Sequence, residues 1–324
     1  MYKHKGFTIV EILISLTIGV FLFAGISLVF VGMRTTSAET SSYGNLQETG
    51  RLAISVLSDD LMRQGFWGDL PTALNRSNLS GVIPAAPGSE CTGEGINNGT
   101  FPGAVGTFRA IWGKTADSAN EMGCINDAKI GSDILQIKRV VSNPVVGALP
   151  ANRYFLVANL TQGQIITSAG PIPVIDSSRT WEYQHHVYFV SEDSAGTEVI
   201  PVLNLRSLAN TMASQPLIDG VEMFRVMYGV DTNQDGAVNA FISADNMTQA
   251  LWDSEINAVT GTNSRIIAAK IYVLVRDMLP DQNYTNSTTY QLGDVNFISP
   301  NDNYRRMLFS STVSLYNGDV EIWN

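Results

Sequence analysis

Residues 7–33 form an apolar run of 27 residues that carries one charge, Glu11. As an α-helix this run would be roughly 40 Å long at 1.5 Å per residue. A bilayer's hydrocarbon core is about 30 Å thick, so the segment is long enough to span it. Lys3 and Lys5 precede the run, and no lysine or arginine recurs until Arg34. That asymmetry places the N-terminus on the cytoplasmic side.

An ordinary secretory signal has an apolar stretch of about 7–15 residues followed by a small-residue cleavage site. This run is longer, and Thr36-Ser37-Ala38 is a poor site. Nor does a plain anchor explain Glu11, because a carboxylate at the centre of a membrane helix costs on the order of 3 kcal/mol, and less near an end. Such a group calls for a partner.

The segment Lys5-Gly6-Phe7-Thr8-Ile9-Val10-Glu11, followed by Leu13, resembles the class III signal of type IV pilins and pseudopilins. The resemblance implies that a prepilin peptidase cuts after Gly6 on the cytoplasmic face and methylates the new N-terminal residue, Phe7. The apolar segment is then retained. Glu11 becomes the fifth residue of the mature chain, where the family's glutamate neutralises the terminal ammonium of a neighbouring subunit. Two unpaired charges in an apolar core are costly, whereas one pair made at the correct stagger is tolerable. Two alternatives for Glu11 stand beside this: it complements the N-terminus of its own helix, or it pairs with the Phe7 amine one turn away.

Past Arg34 the pattern becomes amphipathic. Leu46, Ala53, Leu57 and Leu61 recur at helical spacing, with Leu52 and Val56 flanking them. No proline interrupts residues 7–64. A single helix is therefore expected, with residues 7–33 in the membrane or filament core and 34–65 packing on a head. Gly65-Phe66-Trp67-Gly68 ends it.

Residues 66–132 are rich in Gly, Asn, Ser and Pro and contain both cysteines, Cys91 and Cys124. Beyond a membrane the compartment is oxidising, so a disulfide between them is expected. From Ser132 on, runs of β-branched and aromatic residues at 134–141, 154–158, 187–190, 220–228, 268–276 and 309–316 read as strands separated by turns. Asn317-Gly318 before Val320-Glu321-Ile322-Trp323 predicts a C-terminal hairpin. The expected fold class is α+β, a long N-terminal helix packed on an antiparallel β-sheet head over residues 133–324.

Four blocks, at residues 132–137, 228–236, 268–276 and 304–313, are similar to those of PilW-type minor pilins. This second resemblance implies a minor pilin that primes pilus assembly within a complex of minor pilins. Its partners would be other minor pilins, the major pilin, the prepilin peptidase and the inner-membrane assembly platform. The protein would first sit in the inner membrane, head in the periplasm, and then in the surface pilus. A minor pseudopilin of a type II secretion system shares residues 1–64 and is the first alternative. A membrane-anchored, calcium-dependent adhesin is the second.

The calcium idea comes from Asp231-Thr232-Asn233-Gln234-Asp235-Gly236 with Asn239, which matches the first half of a calcium loop. The twelfth position, where an EF-hand needs a glutamate, is Ile242, so an EF-hand is excluded. A different calcium loop completed by Asn239 or Asp245, or a hairpin turn without metal, remain open. His185 and His186 are adjacent and on a strand face opposite ways, so they cannot chelate one ion together, and both are expected at the surface. Arg305-Arg306 is expected to give at least one ion pair. The tryptophans at 67, 112, 181, 252 and 323 are expected in the core. With 20 basic and 30 acidic side chains, three histidines and two cysteines, the chain lacks the basic footprint of a nucleic-acid binder and has little material for zinc, haem or iron–sulfur sites. It carries none of the usual hydrolase, zincin or P-loop motifs, and no enzymatic activity is expected.

Overall fold

The apolar run and the amphipathic stretch join into one α-helix, α1 (Ile9–Met62), because neither proline nor a glycine cluster intervenes. In the computed structural model, which describes residues 6–195, 198–254 and 263–316, α1 projects from a head of antiparallel sheets. The expected hairpin at 317–323, with Trp323, lies outside the described residues.

Among the described residues the head has thirteen strands: β1 (Ile111–Thr115), β2 (Asp133–Val140), β3 (Tyr154–Ala158), β4 (Gly163–Thr167), β5 (Arg179–Ala195), β6 (Glu198–Leu208), β7 (Met212–Asp219), β8 (Val221–Asp231), β9 (Ala240–Ser243), β10 (Arg265–Arg276), β11 (Thr289–Leu292), β12 (Val295–Ile298) and β13 (Arg306–Ser314). A seven-stranded sheet runs β1-β2-β5-β3-β4, with β6 on β5 and β7 on β6. A four-stranded sheet runs β13-β10-β8-β9, and β11 and β12 form a separate hairpin. One short helix, α2 (Gln249–Trp252), follows β9.

Side-chain alternation sorts the strands into layers. In β8 and β10 the residues Phe224, Val226, Tyr228, Val230, Ala269, Ile271, Val273 and Val275 face a core shared with Leu46, Ala53, Leu57 and Leu61 of α1 and with Leu135 and Ile137 of β2. The opposite face of the same sheet, through Met223 and Leu274, is covered by the β11–β12 hairpin with Leu292, Tyr290 and Phe297.

The far face of the seven-stranded sheet is covered by the loop-rich segment. Trp67, Leu70, Leu74, Phe101 and Phe108 pack on Ile134, Val140, Tyr183, Val187 and Phe189. That is why β2 is buried along its whole length. A cover made of irregular chain brings carbonyls that no ladder satisfies. Polar side chains on the sheet meet them: Gln136 donates to the Cys91 carbonyl at 3.3 Å, Lys138 to that of Arg109 at 3.0 Å and Tyr183 to that of Thr100 at 2.5 Å.

Two expectations need correction. Strand structure begins before Ser132, because β1 lies inside the loop-rich segment and pairs with β2 from Ile111↔Ile137 to Thr115↔Asp133. The histidines do face opposite ways, but neither is a surface residue. His185 is fully buried between Thr100 (3.1 Å) and Gln136 (2.8 Å). His186 is half-buried and bonds Asp60 through Nδ1 at 2.6 Å.

Candidate assembly site on the N-terminal helix

Thr8 is the N-cap of α1, with extended backbone, and its hydroxyl accepts the Glu11 N–H at 3.3 Å. Glu11 Oε2 in turn accepts the Thr8 N–H and the Thr8 hydroxyl, each at 2.9 Å. This reciprocal pair is a capping box, worth about 1 kcal/mol to the helix end. The Thr8-x-x-Glu11 spacing announces it in the sequence, so Glu11 has a role in its own chain beside any role toward a neighbour. Gly6 and Phe7 precede the cap in irregular structure, and Phe7 is 84% exposed.

Every residue from 7 to 38 is exposed except the half-buried Ser27. A helix this long and apolar meets the length and composition needed to cross a membrane. Its hydroxyls do not interrupt the apolar surface: Ser15 donates to the Ile12 carbonyl at 2.9 Å and Thr17 to that of Leu13 at 2.6 Å. Thr35 and Thr36 bond the Val31 and Gly32 carbonyls at 3.1 Å in the same way.

Three sets of contacts fix how the rest of α1 sits on the head. Where the helix leaves the head, Ser42 donates to Asp277, and Arg305 bridges Glu39 (3.0 Å) and Asp281 (2.8 Å). Midway, Gly50 lets β13 approach so closely that a Cβ there would stand 2.1 Å from the Phe309 ring. At the end, Asp60, only 4% exposed, accepts from Arg139 Nε at 2.5 Å, His186 Nδ1 at 2.6 Å and the Tyr188 hydroxyl at 2.8 Å. Burial alone would raise the Asp60 carboxyl. The His186 hydrogen bond and charge, with the Arg139 guanidinium, overcome it and hold the group well below the usual carboxylate range. Gly50 and Asp60 extend the stripe of Leu46, Ala53, Leu57 and Leu61, and a carboxylate in that register is the signal that a buried partner awaits it.

The remaining residues singled out in the sequence are spread over the head. Cys91 and Cys124 form the expected disulfide, S–S 2.06 Å. Asp231, Asn233, Asp235 and Asn239 lie together at the turn of the β8–β9 hairpin, where the oxygens of Asp231, Asp235 and Asn239 are engaged locally and Asn233 Nδ2 donates to Asp235 at 3.0 Å. Asp231 accepts the N–H groups of Asn233 (3.1 Å), Gln234 (2.7 Å) and Gly236 (3.0 Å). Asn239 Oδ1 accepts from the Thr232 N–H at 2.7 Å, and Asp235 from Ala237 at 2.8 Å. Asp245 points elsewhere, to Arg225 and Thr115. Among the described residues no group of three or more His, Cys, Asp or Glu is placed to hold a metal ion. Both arginines of the 305–306 pair are ion-paired, Arg306 with Glu222 (2.5 Å) and Asp302 (2.6 Å).

Two family models match the chain. Residues 1–27 match the prokaryotic N-terminal methylation motif, and residues 187–317 match type IV pilus-assembly protein W. The two matches support a PilW-type, type IV pilin-like protein. No curated protein and no solved structure matches it. The two matches fit a minor pilin of a type IV pilus, and the exposed apolar helix fits a membrane-anchored one. The match to the W protein starts within β5 and runs through β13, so it covers the four-stranded sheet that carries the helix. The disulfide and the loop-rich cover of this minor pilin lie outside both matched segments.

Proposed function

We propose that this minor pilin primes assembly of a type IV pilus in a Gram-negative cell and stays at the pilus tip in a complex with other minor pilins, contacting the major pilin below. The prepilin peptidase cuts after Gly6 and methylates Phe7, while the protein waits in the inner membrane with its N-terminus cytoplasmic and its head periplasmic beside the assembly platform. The observation that carries this reading is the apolar stretch of α1, exposed on all sides, with Glu11 one turn into it. In an assembling filament Glu11 leaves the Thr8 box and pairs with the Phe7 ammonium of an adjoining subunit. The lost cap is worth about 1 kcal/mol, less than the cost of leaving either charge unpaired in an apolar core.

Two substitutions separate the cap from the charge. Glu11→Gln keeps a side chain that completes a capping box but removes the charge. Thr8→Ala removes the cap and keeps the charge. The reading expects Glu11→Gln to be processed normally and to be absent from sheared pili, while Thr8→Ala is still incorporated. Gly6→Leu should leave the leader uncut, shown by intact mass. Normal piliation and twitching in a strain carrying only the Glu11→Gln chain would overturn the intersubunit role. Loss of exoprotein export without loss of pili on deletion would move the protein to a secretion system.

A further inference from the structure

Lys138 lies in the middle of β2, fully buried, and among the described residues an amide oxygen, a backbone carbonyl and an aromatic ring, rather than a carboxylate, hold its amine. Its Nζ is 2.9 Å from Asn98 Oδ1, 3.0 Å from the Arg109 carbonyl and 4.6 Å from the centre of the Phe108 ring. Asn98 is itself 1% exposed, and its Nδ2 donates to the Glu94 carbonyl at 3.0 Å. With a C=O bond of about 1.2 Å, the Asn98 Cγ is no further than roughly 4 Å from the amine, close to the distance at which held groups react. Burial, and after it the Arg109 charge, push the lysine well below its ordinary range against an opposing pull from Glu90, so the amine has a neutral, nucleophilic form at hand. Glu90 lies on the same wall. Its Oε1 accepts the Thr100 N–H at 2.6 Å, and with Asn98 it lines a cavity of 330 Å³.

We propose that Lys138 and Asn98 join through an intramolecular amide bond that staples the loop-rich cover to the central sheet. The Lys138 Nζ attacks Asn98 Cγ, forming a new C–N bond. The Cγ–Nδ2 bond breaks, and Nδ2 leaves as ammonia carrying the proton that Nζ loses. Glu90 relays that proton, and the cavity gives the ammonia its exit. Nothing is oxidised or reduced. The staple sits on the same loop as the Cys91–Cys124 disulfide, but reductants do not open it.

The test is mass spectrometry of the full chain purified from membranes, reduced and then digested. The expected result is a branched peptide joining the segment with Asn98 to the segment with Lys138, and an intact mass lower by one ammonia than the processed sequence. Asn98→Ala, Lys138→Met and Glu90→Gln should each remove the branched peptide, with Glu90→Gln keeping the fold. Asn98-Gly99 could also lose ammonia by closing a succinimide on its own backbone. That product would survive Lys138→Met, give no branched peptide and hydrolyse in mild base. A full-mass chain, or the succinimide pattern, overturns the proposal and leaves Lys138 as a cation held by two carbonyls and a ring.

Discussion

Asp60→Asn is the most informative single change to the way α1 is held. The carboxylate is buried and receives three donors, one from each of Arg139, His186 and Tyr188, and Arg139 is itself only 7% exposed. Removing the charge leaves a guanidinium in the core without its counter-ion, a change that costs about 3–5 kcal/mol. For a head of this size that corresponds to a drop in Tm of roughly 6–20 °C. The assay is thermal unfolding of the full chain in detergent, followed by tryptophan fluorescence, since Trp67 stacks on Tyr183 in the cover of the same sheet. The pH dependence has a defined sign. Asp60 titrates lower in the folded chain than in the unfolded one, so its contribution is complete above about pH 5 and is lost as the pH falls below the ordinary carboxylate range. The deficit of Asp60→Asn should therefore shrink in acid. Replacing both members, Asp60→Leu with Arg139→Met, should recover most of the loss. A single-variant cost below about 1 kcal/mol, or a deficit that does not change with pH, would refute the reasoning.

Gly50→Ala should destabilise by about 1–3 kcal/mol through the clash with Phe309, although alanine gains about 1 kcal/mol in helix propensity; combined with Phe309→Ala the loss should be less than additive in denaturant melts. Asp231→Ala should cost about 1–3 kcal/mol by orphaning the N–H groups it caps, and the Tm of the unmodified chain should not move with calcium or a chelator, measured by calorimetry. Cys91→Ser with Cys124→Ser should lower stability by about 3–4 kcal/mol, since the bond closes a 33-residue separation, with protease sensitivity rising first in residues 66–132.

The helix and its packed stripe were legible because both are periodic and local: a long apolar run, then Leu46, Ala53, Leu57 and Leu61 on one face. Strands β2, β3, β8, β10 and β13 announce themselves by β-branched and aromatic runs. β1 does not, because Gly113 and Lys114 interrupt its five residues. β6 and β7 are masked by Pro201 and Pro216 and by the exposed polar side of β7. The buried polar residues were the least legible. His185 takes partners 85 and 49 residues away, and Asp60 takes partners 79 and 126 residues away, so only the assembled layers bring them together. At the assembly site, the glutamate was visible from its charge in an apolar run. Its second job at the cap was visible only from the threonine three residues before it.

α1 runs without a break from Ile9 to Met62, and the head clamps it from Glu39 onward. Stalk and head therefore turn as one shaft. Adding a residue between 34 and 38 would advance the head by about 1.5 Å and swing it by roughly 100° about the stalk, so the azimuth at which the head faces its surroundings is set by the count of residues in the stalk.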